Sequence, residues 1–317
     1  DIRQLFGLPP PTPNEELLSA AEEGSLDRVR DAISRGASLA AQRPQTTETP
    51  LILASDHGHR GIVVHILHML QVDPTYSSNP YDILNAGTND GMTALHVASS
   101  RGHRDIVRDL LAAGANVNPV TVRVNSTPLY LASYSGHVLT IETLLAFRAN
   151  IQIADRNGTT PLMTAAYAGH VEVVLLLLSR DIKRIDDGNN VGTTALIFAS
   201  EQGHLAVVAN LLVKGADPKA VDKGGWTALM FASLHGRLEV VQKLLPVSDV
   251  NAANANGGTA LMLGSGAEEG VALPIVQALL AAGANPNARS KTGKTALWWA
   301  THPAEWTQAE VVDALRA

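Results

Sequence analysis

Eight threonines stand at the head of short apolar stretches and mark off most of the chain in near-equal lengths. They are Thr49, Thr93, Thr127, Thr160, Thr194, Thr227, Thr259 and Thr295, at intervals of 44, 34, 33, 34, 33, 32 and 36 residues counted from the numbering. The stretch from Gly91 to Asn118, GMTALHVASSRGHRDIVRDLLAAGANVN, shows what an interval contains. The Thr93 hydroxyl suits the free amides of a helix start, and Thr49-Pro50, Thr127-Pro128 and Thr160-Pro161 put proline where its missing N–H costs nothing. Leu95, Ala98 and Ser99 give a first helix a narrow face of small residues, and Gly102 supplies the left-handed backbone that ends it. Ile106, Val107, Leu110 and Leu111 then recur at helical spacing among Arg104, Asp105, Arg108 and Asp109, an amphipathic second helix closed by Gly114. Ala115-Asn116-Val117-Asn118 has the composition of a turn or short hairpin. One such helix pair cannot bury its own apolar faces, so the copies must stack.

The copies read TPLILA from Thr49, TALHVA from Thr93, TPLYLA from Thr127, TPLMTA from Thr160, TALIFA from Thr194 and TALMFA from Thr227. With the following Gly-His and the later Gly-Ala-x-x-Asn, this resembles the ankyrin repeat, whose period is about 33 residues and whose signature is TPLHxA. The resemblance covers almost the whole chain, and the later copies depart from it. It implies an all-α fold: an ankyrin-type α-solenoid of about nine helix-turn-helix repeats with short β-hairpin loops, acting as a non-catalytic protein–protein interaction module.

Residues 1–13, ending in Pro9-Pro10-Pro11 and Pro13, read as a Pro-rich arm before a repeat domain over 14–317. The first repeat begins at Asn14 without the threonine and proline, Asn14 being the candidate cap, and its many charges suit the solvated face of a terminal repeat. The long interval after Thr49 marks an insertion over 71–90, rich in Pro, Ser and Asn, expected as a loop or hairpin edge, with deletion of residues 75–84 expected to leave the fold intact. Gly264 and Gly266 predict a short or irregular first helix in the eighth repeat. The ninth brings together Trp298, Trp299 and Trp306, the first two expected to pack on the eighth repeat, with an exposed docking patch as the second choice.

With 45% hydrophobic but only 4% aromatic residues, the core must be built from leucine, valine, isoleucine and alanine. A net charge of −6 argues against a general nucleic-acid or anionic-membrane binder. The absence of cysteine removes disulfides, thiolate metal sites and thiol nucleophiles. No apolar run reaches the roughly 18 residues of a membrane span, so no direct membrane insertion is expected. Location is left unknown, with the cytoplasm as default and a processed organellar or secreted form open, because the chain does not begin with methionine.

Several short matches to catalytic motifs dissolve in the repeat. His103-Arg104-Asp105 resembles a kinase catalytic loop but lacks its asparagine, and Gly293-Lys294-Thr295 lacks the first glycine of a phosphate loop, Ala288 standing in its place. Gly264, Gly266 and Gly270 lack the spacing of a dinucleotide turn. His59, His103, His137, His170 and His204 each follow the inter-helix glycine, where an imidazole can bond backbone of a neighbouring repeat. His65 and His68, with His57 nearby, lack an acidic or cysteine partner at ligand spacing. No metal, no cofactor and no enzymatic activity are expected.

Binding remains. In arrays of the family it resembles, hairpin tips and the exposed ends of first helices line a concave groove. By that carry-over the partner-binding residues are Asp56 and His57, Arg101 beside Ser100, Tyr134 beside Ser135, Tyr167 beside Ala168, Glu201 and Gln202, Leu234 and His235, with Trp226 at a hairpin tip. Tyrosine and tryptophan are over-represented among binding hot spots, and three of the thirteen aromatics fall on this one surface. The expected partner is a protein of unknown identity. The alternatives are a structural or adaptor subunit docked through its ends or the 71–90 insertion, and a targeting fragment of a larger effector or enzyme.

Overall fold

The computed structural model describes residues 10–73, 80–268, 270–302 and 309–317, in two compact units, Asp1–Arg156 and Asn157–Ala317. Residues 1–9 of the proline-rich arm, 74–79 of the insertion and Trp306 lie outside the described residues.

The first unit contains α1 (Pro13–Glu23), α2 (Leu26–Ser34), α3 (Pro50–Asp56), α4 (Arg60–Val72), α5 (Pro80–Leu84), α6 (Ala94–Arg101), α7 (Arg104–Ala112), α8 (Pro128–Ser135) and α9 (Val138–Ala146). The second contains α10 (Pro161–Ala168), α11 (Val171–Leu178), α12 (Ala195–Gln202), α13 (Leu205–Val213), α14 (Ala228–Leu234), α15 (Leu238–Leu244), α16 (Ala260–Ser265), α17 (Ala272–Ala281), α18 (Ala296–Thr301) and α19 (Ala309–Arg316), with a 3₁₀ turn over Ile182–Arg184. Within each unit the helices form antiparallel pairs stacked in two layers. In the first unit the inner layer runs α1, α3, α6, α8 and the outer α2, α4, α7, α9; in the second, α10, α12, α14, α16, α18 and α11, α13, α15, α17, α19. Among the described residues no strand forms. The loops carry isolated antiparallel bridges, Gly87 to Thr93, Val221 to Thr227 and Ala253 to Thr259.

The threonines do what their position predicts. Each hydroxyl accepts from the amide three residues on, from Ile52 N–H at 3.3 Å for Thr49 to Trp298 N–H at 3.3 Å for Thr295. The first repeat differs from the sequence reading: Thr12, not Asn14, is the cap. Its hydroxyl accepts from Glu15 N–H while the Glu15 carboxylate accepts from Thr12 N–H at 2.8 Å, and Pro13 follows. The Thr-Pro pair is therefore present one interval, 37 residues, before Thr49. Asn14 instead accepts from Ser38 N–H at 2.8 Å and so ties down the loop after α2.

The insertion is more than a loop. It lengthens α4 to 13 residues against nine in α7, and adds α5, whose Leu84 is buried. A deletion reaching Leu84 would remove core, so the insertion cannot be treated as dispensable surface. In the eighth repeat α16 is six residues long. A Cβ on Gly264 would stand 2.8 Å from the Ile275 side chain, so this glycine permits a close approach of α17.

Four of the five histidines after the inter-helix glycines reach back to the repeat before their own. The Nε2 atoms of His59, His103 and His137 lie 2.9, 3.1 and 3.0 Å from the carbonyl oxygens of Glu22, Asp56 and Ser100, and His204 Nε2 lies 2.9 Å from that of Tyr167. Arg237 replaces histidine in the next repeat and donates from Nε to the Glu201 carbonyl at 3.0 Å. Gly102 shows what the glycine contributes. It sits at φ +75°, and a Cβ there would come 2.6 Å from the His137 ring, so the residue is held to glycine twice, by backbone and by neighbour.

Two expectations about stability follow. Gly102→Ala should lose about 2 kcal/mol or more by denaturant unfolding, and part of that loss should vanish in a His137→Ala background, since the left-handed strain remains but the ring does not; strictly additive penalties would refute the ring-on-glycine packing. The Oγ atoms of Ser55, Ser99, Ser133 and Ser200 are buried without a hydrogen-bond partner, whereas Ser233 donates to the Leu229 carbonyl at 2.8 Å. Ser99→Ala should thus raise stability by about 1 kcal/mol and Ser233→Ala should not.

Candidate functional site

In the first unit the ends of the inner helices carry charge. Asp56 closes α3 and Arg101 closes α6, and the guanidinium grips the carboxylate with two bonds, Nε to Oδ1 at 2.9 Å and Nη2 to Oδ2 at 3.4 Å. This pair spans 45 residues of sequence, one repeat to the next. His57 is exposed at the end of α3, with Nδ1 3.0 Å from the Leu53 carbonyl and its ring stacked on His59 at 5.9 Å. Tyr134, at the end of α8, is 53% exposed. Beside Asp56 opens a cleft of about 410 Å³ whose lining includes Glu48, Asp56, Asp90, Ile52, Val97 and Arg123. Its three carboxylates are each matched by an arginine: Glu48 by Arg43 at 3.2 Å, Asp56 by Arg101, and Asp90 by Arg123 at 2.8 Å. The lining is polar but charge-balanced, with no unopposed acid to serve as a base.

The corresponding face of the second unit is aromatic. Tyr167, in the last turn of α10, is 41% exposed and meets Phe198 edge to face with centroids 5.8 Å apart. Trp226, held by its backbone N–H to Asp222 Oδ1 at 2.8 Å, leans on Phe231 at 5.2 Å, and Phe231 stacks on His235 at 6.3 Å. Glu201 Oε1 lies 3.9 Å from His235 Nε2, Leu234 is exposed beside it, and Gln202 borders a depression of about 360 Å³ with Arg237 and Glu239. The sequence-derived set is therefore brought together as two kinds of surface. Asp56 and Arg101 form an ion pair in one unit, while Tyr167, Glu201, Trp226, Leu234 and His235 frame an aromatic face in the other. Phe198 and Phe231 were missed. Both stand four residues after the capping threonine, a position filled by Leu53, Val97 and Leu131 in earlier repeats, and the repeated TALIFA and TALMFA carry the signal.

Among the described residues no group of three or more His, Cys, Asp or Glu side chains is placed to hold a metal ion, and no helix is long and apolar enough to cross a membrane.

Comparison with known proteins gives one family and several partial relatives. A family model described as ankyrin repeats (3 copies) matches residues 17–121, 119–189, 181–254 and 196–290. BCL-6 corepressor-like protein 1 of Homo sapiens is 30% identical over 149 residues, covering 47% of this chain and 8% of that protein. Transient receptor potential cation channel subfamily A member 1 of Drosophila melanogaster is 30% identical over 142 residues, 45% of this chain and 11% of the channel. The putative ankyrin repeat protein FPV031 of Fowlpox virus (strain NVSL) is 31% identical over 176 residues, 54% of this chain and 48% of that protein. In each case the chain spans less than half the length of the relative.

Among the described residues one titratable group is strongly shifted, and it belongs to the core rather than to either face. Burial pushes the His96 imidazole down to about 4, against a smaller opposing effect of its backbone bonds. Its Nδ1 accepts from Thr93 N–H at 3.1 Å, and Nε2 lies 3.0 Å from the Ser126 carbonyl, to which it donates in that tautomer. A proton on Nδ1 would displace the Thr93 donor. Below about pH 6.5 the unfolded chain takes a proton that the folded chain refuses, so stability present above that pH falls as pH drops toward 4. The expected loss from this residue is about 3 kcal/mol across that window. Denaturant unfolding at pH 7 and pH 4.5 should show a smaller drop for His96→Gln than for the native chain; equal drops would show that the imidazole is not the titrating group.

Proposed function

From a chain that belongs to the ankyrin-repeat family, we infer a non-catalytic module that binds a partner protein through the inner-helix ends and hairpin tips of its repeats. Repeats of this family are protein-interaction modules, and the finer assignment of surface and residues is what is proposed here. The observation that carries it is the aromatic face of the second unit, where Tyr167 with Phe198 and Trp226 with Phe231 and His235 form two clusters on adjoining repeats. Rings already packed on each other lose little rotamer freedom when a partner covers them, which is the property of a binding hot spot. In the first unit the Asp56–Arg101 pair and Tyr134 supply polar, orienting contacts. The partner best matched to the aromatic face is a segment with apolar side chains and a cation able to meet Glu201.

A second reading places docking at the insertion. A cleft of about 480 Å³ opens there, lined by Leu67, Leu70, Tyr81 and Leu84 among others, and suits an adaptor subunit held through that edge.

Affinity capture with quantitative mass spectrometry tests the two together. A Tyr167→Ala, Trp226→Ala variant should lose the captured partner, with an affinity drop of about tenfold or more, while Val213→Ala, changing a side chain 81% exposed on an outer helix, should retain it. A partner retained by the aromatic variant but lost on Tyr81→Ala, which changes a side chain 56% exposed, would move the interface to the insertion.

A further inference from the structure

The last repeat holds an organic cation against two indoles. Trp298 and Trp299, consecutive in α18, meet edge to face with centroids 5.3 Å apart and planes at 87°, forming an inside corner. Lys294 folds back into that corner, its Nζ 3.6 Å from the Trp298 ring centroid and 5.5 Å from that of Trp299. The His302 imidazole lies parallel to Trp298 with centroids 4.6 Å apart. An ammonium and an imidazole at these distances cannot share one ring face, so Trp298 is sandwiched between them. Trp299 is 37% exposed and lies beside Gly266, where a Cβ would meet its ring at 3.5 Å, an ordinary van der Waals contact. Lys294 forms no ion pair among the described residues, and its ammonium lies against the two rings.

We propose that this corner is a subsite for a methylated or quaternary ammonium group, with Lys294 as a resident occupant that the ligand displaces. The face of an indole attracts cations through its quadrupole, and the attraction grows as the cation sheds water. A primary ammonium is compact and strongly hydrated, which makes it a weak tenant of a half-open corner. A trimethylammonium carries the same charge behind methyl groups, loses less hydration on entry, and offers apolar area to both rings at once. Displacement needs no backbone movement. Lys294 is fixed in the loop by its N–H to Ser290 Oγ at 3.1 Å and its carbonyl to Ser290 N–H at 2.9 Å, so only the side chain has to swing out. The subsite is independent of the aromatic face described above. Its ligand is a free quaternary amine or a trimethylated side chain of another protein, two sources with the same recognising chemistry.

Tryptophan fluorescence of the full chain separates the outcomes. The titrants are choline chloride, its uncharged isostere 3,3-dimethyl-1-butanol, a peptide carrying trimethyllysine, and the same peptide with unmodified lysine. Choline should give a saturable change that the alcohol does not, tightened about fivefold in Lys294→Ala because the occupied fraction of the corner is released. Trp298→Phe keeps an aromatic ring for packing but weakens the cation attraction, and should loosen binding while leaving the far-UV circular dichroism unchanged. A trimethyllysine peptide that binds more tightly than choline assigns the site to a protein side chain, and equal affinity assigns it to a free amine. No saturable response in either the native chain or Lys294→Ala, or an equal response to the alcohol, overturns the proposal.

Discussion

An imidazole nitrogen reaching back to a backbone carbonyl one repeat earlier is the contact on which the stacking depends. A helix pair of this size has no inside of its own, and its apolar faces are covered only if the neighbour lies at a fixed height and angle. The bonds from His59, His103 and His137 in the first unit and His204 in the second set that height. They do so because the ring rests where the preceding repeat's glycine has no Cβ, so the hydrogen bond and the close approach are one event. Threonine caps fix where each inner helix starts, and the glycines fix where it stops. What lies between is short, and its buried part is mostly Leu, Ile and Ala.

Much of this was legible because it is local. A threonine before an apolar stretch, proline after it and, in the regular repeats, glycine nine residues on each answer a local demand of the backbone. Thr12 escaped notice because asparagine stands where later copies have leucine, so the motif after the cap is broken although the cap is intact. The helix of the insertion was hidden in a segment rich in turn formers, and only the burial of Leu84 shows that it joins the core. Arg237 in the histidine position was likewise not foreseen. A guanidinium Nε–H reaches the same kind of carbonyl as an imidazole, a geometric equivalence that residue type does not advertise.

The faces used for recognition were legible as positions but not as chemistry. The period says which residues end the inner helices; it does not say that Arg101 will turn to Asp56, or that Phe231 will lie between Trp226 and His235. Those choices are made by pairs separated by one repeat or by a turn, after the scaffold has set the distances. Unit one resolves them as charge matched by charge, and unit two as ring on ring. Such a division is consistent with the family-wide observation that one scaffold serves unrelated ends.

The histidine bonds have a further property. Their acceptors are the main-chain oxygens of Glu22, Asp56, Ser100 and Tyr167, with Glu201 accepting from Arg237 in the same way. Four of these five residues, all but Glu22, belong to the positions whose side chains were assigned to recognition or stand beside them. A carbonyl is common to all amino acids, so the joint between repeats is indifferent to which side chain is installed there. Assembly and recognition meet at the same residue yet draw on different atoms of it. These positions can therefore be randomised together, as in a combinatorial library, without rewriting the instructions by which the chain stacks.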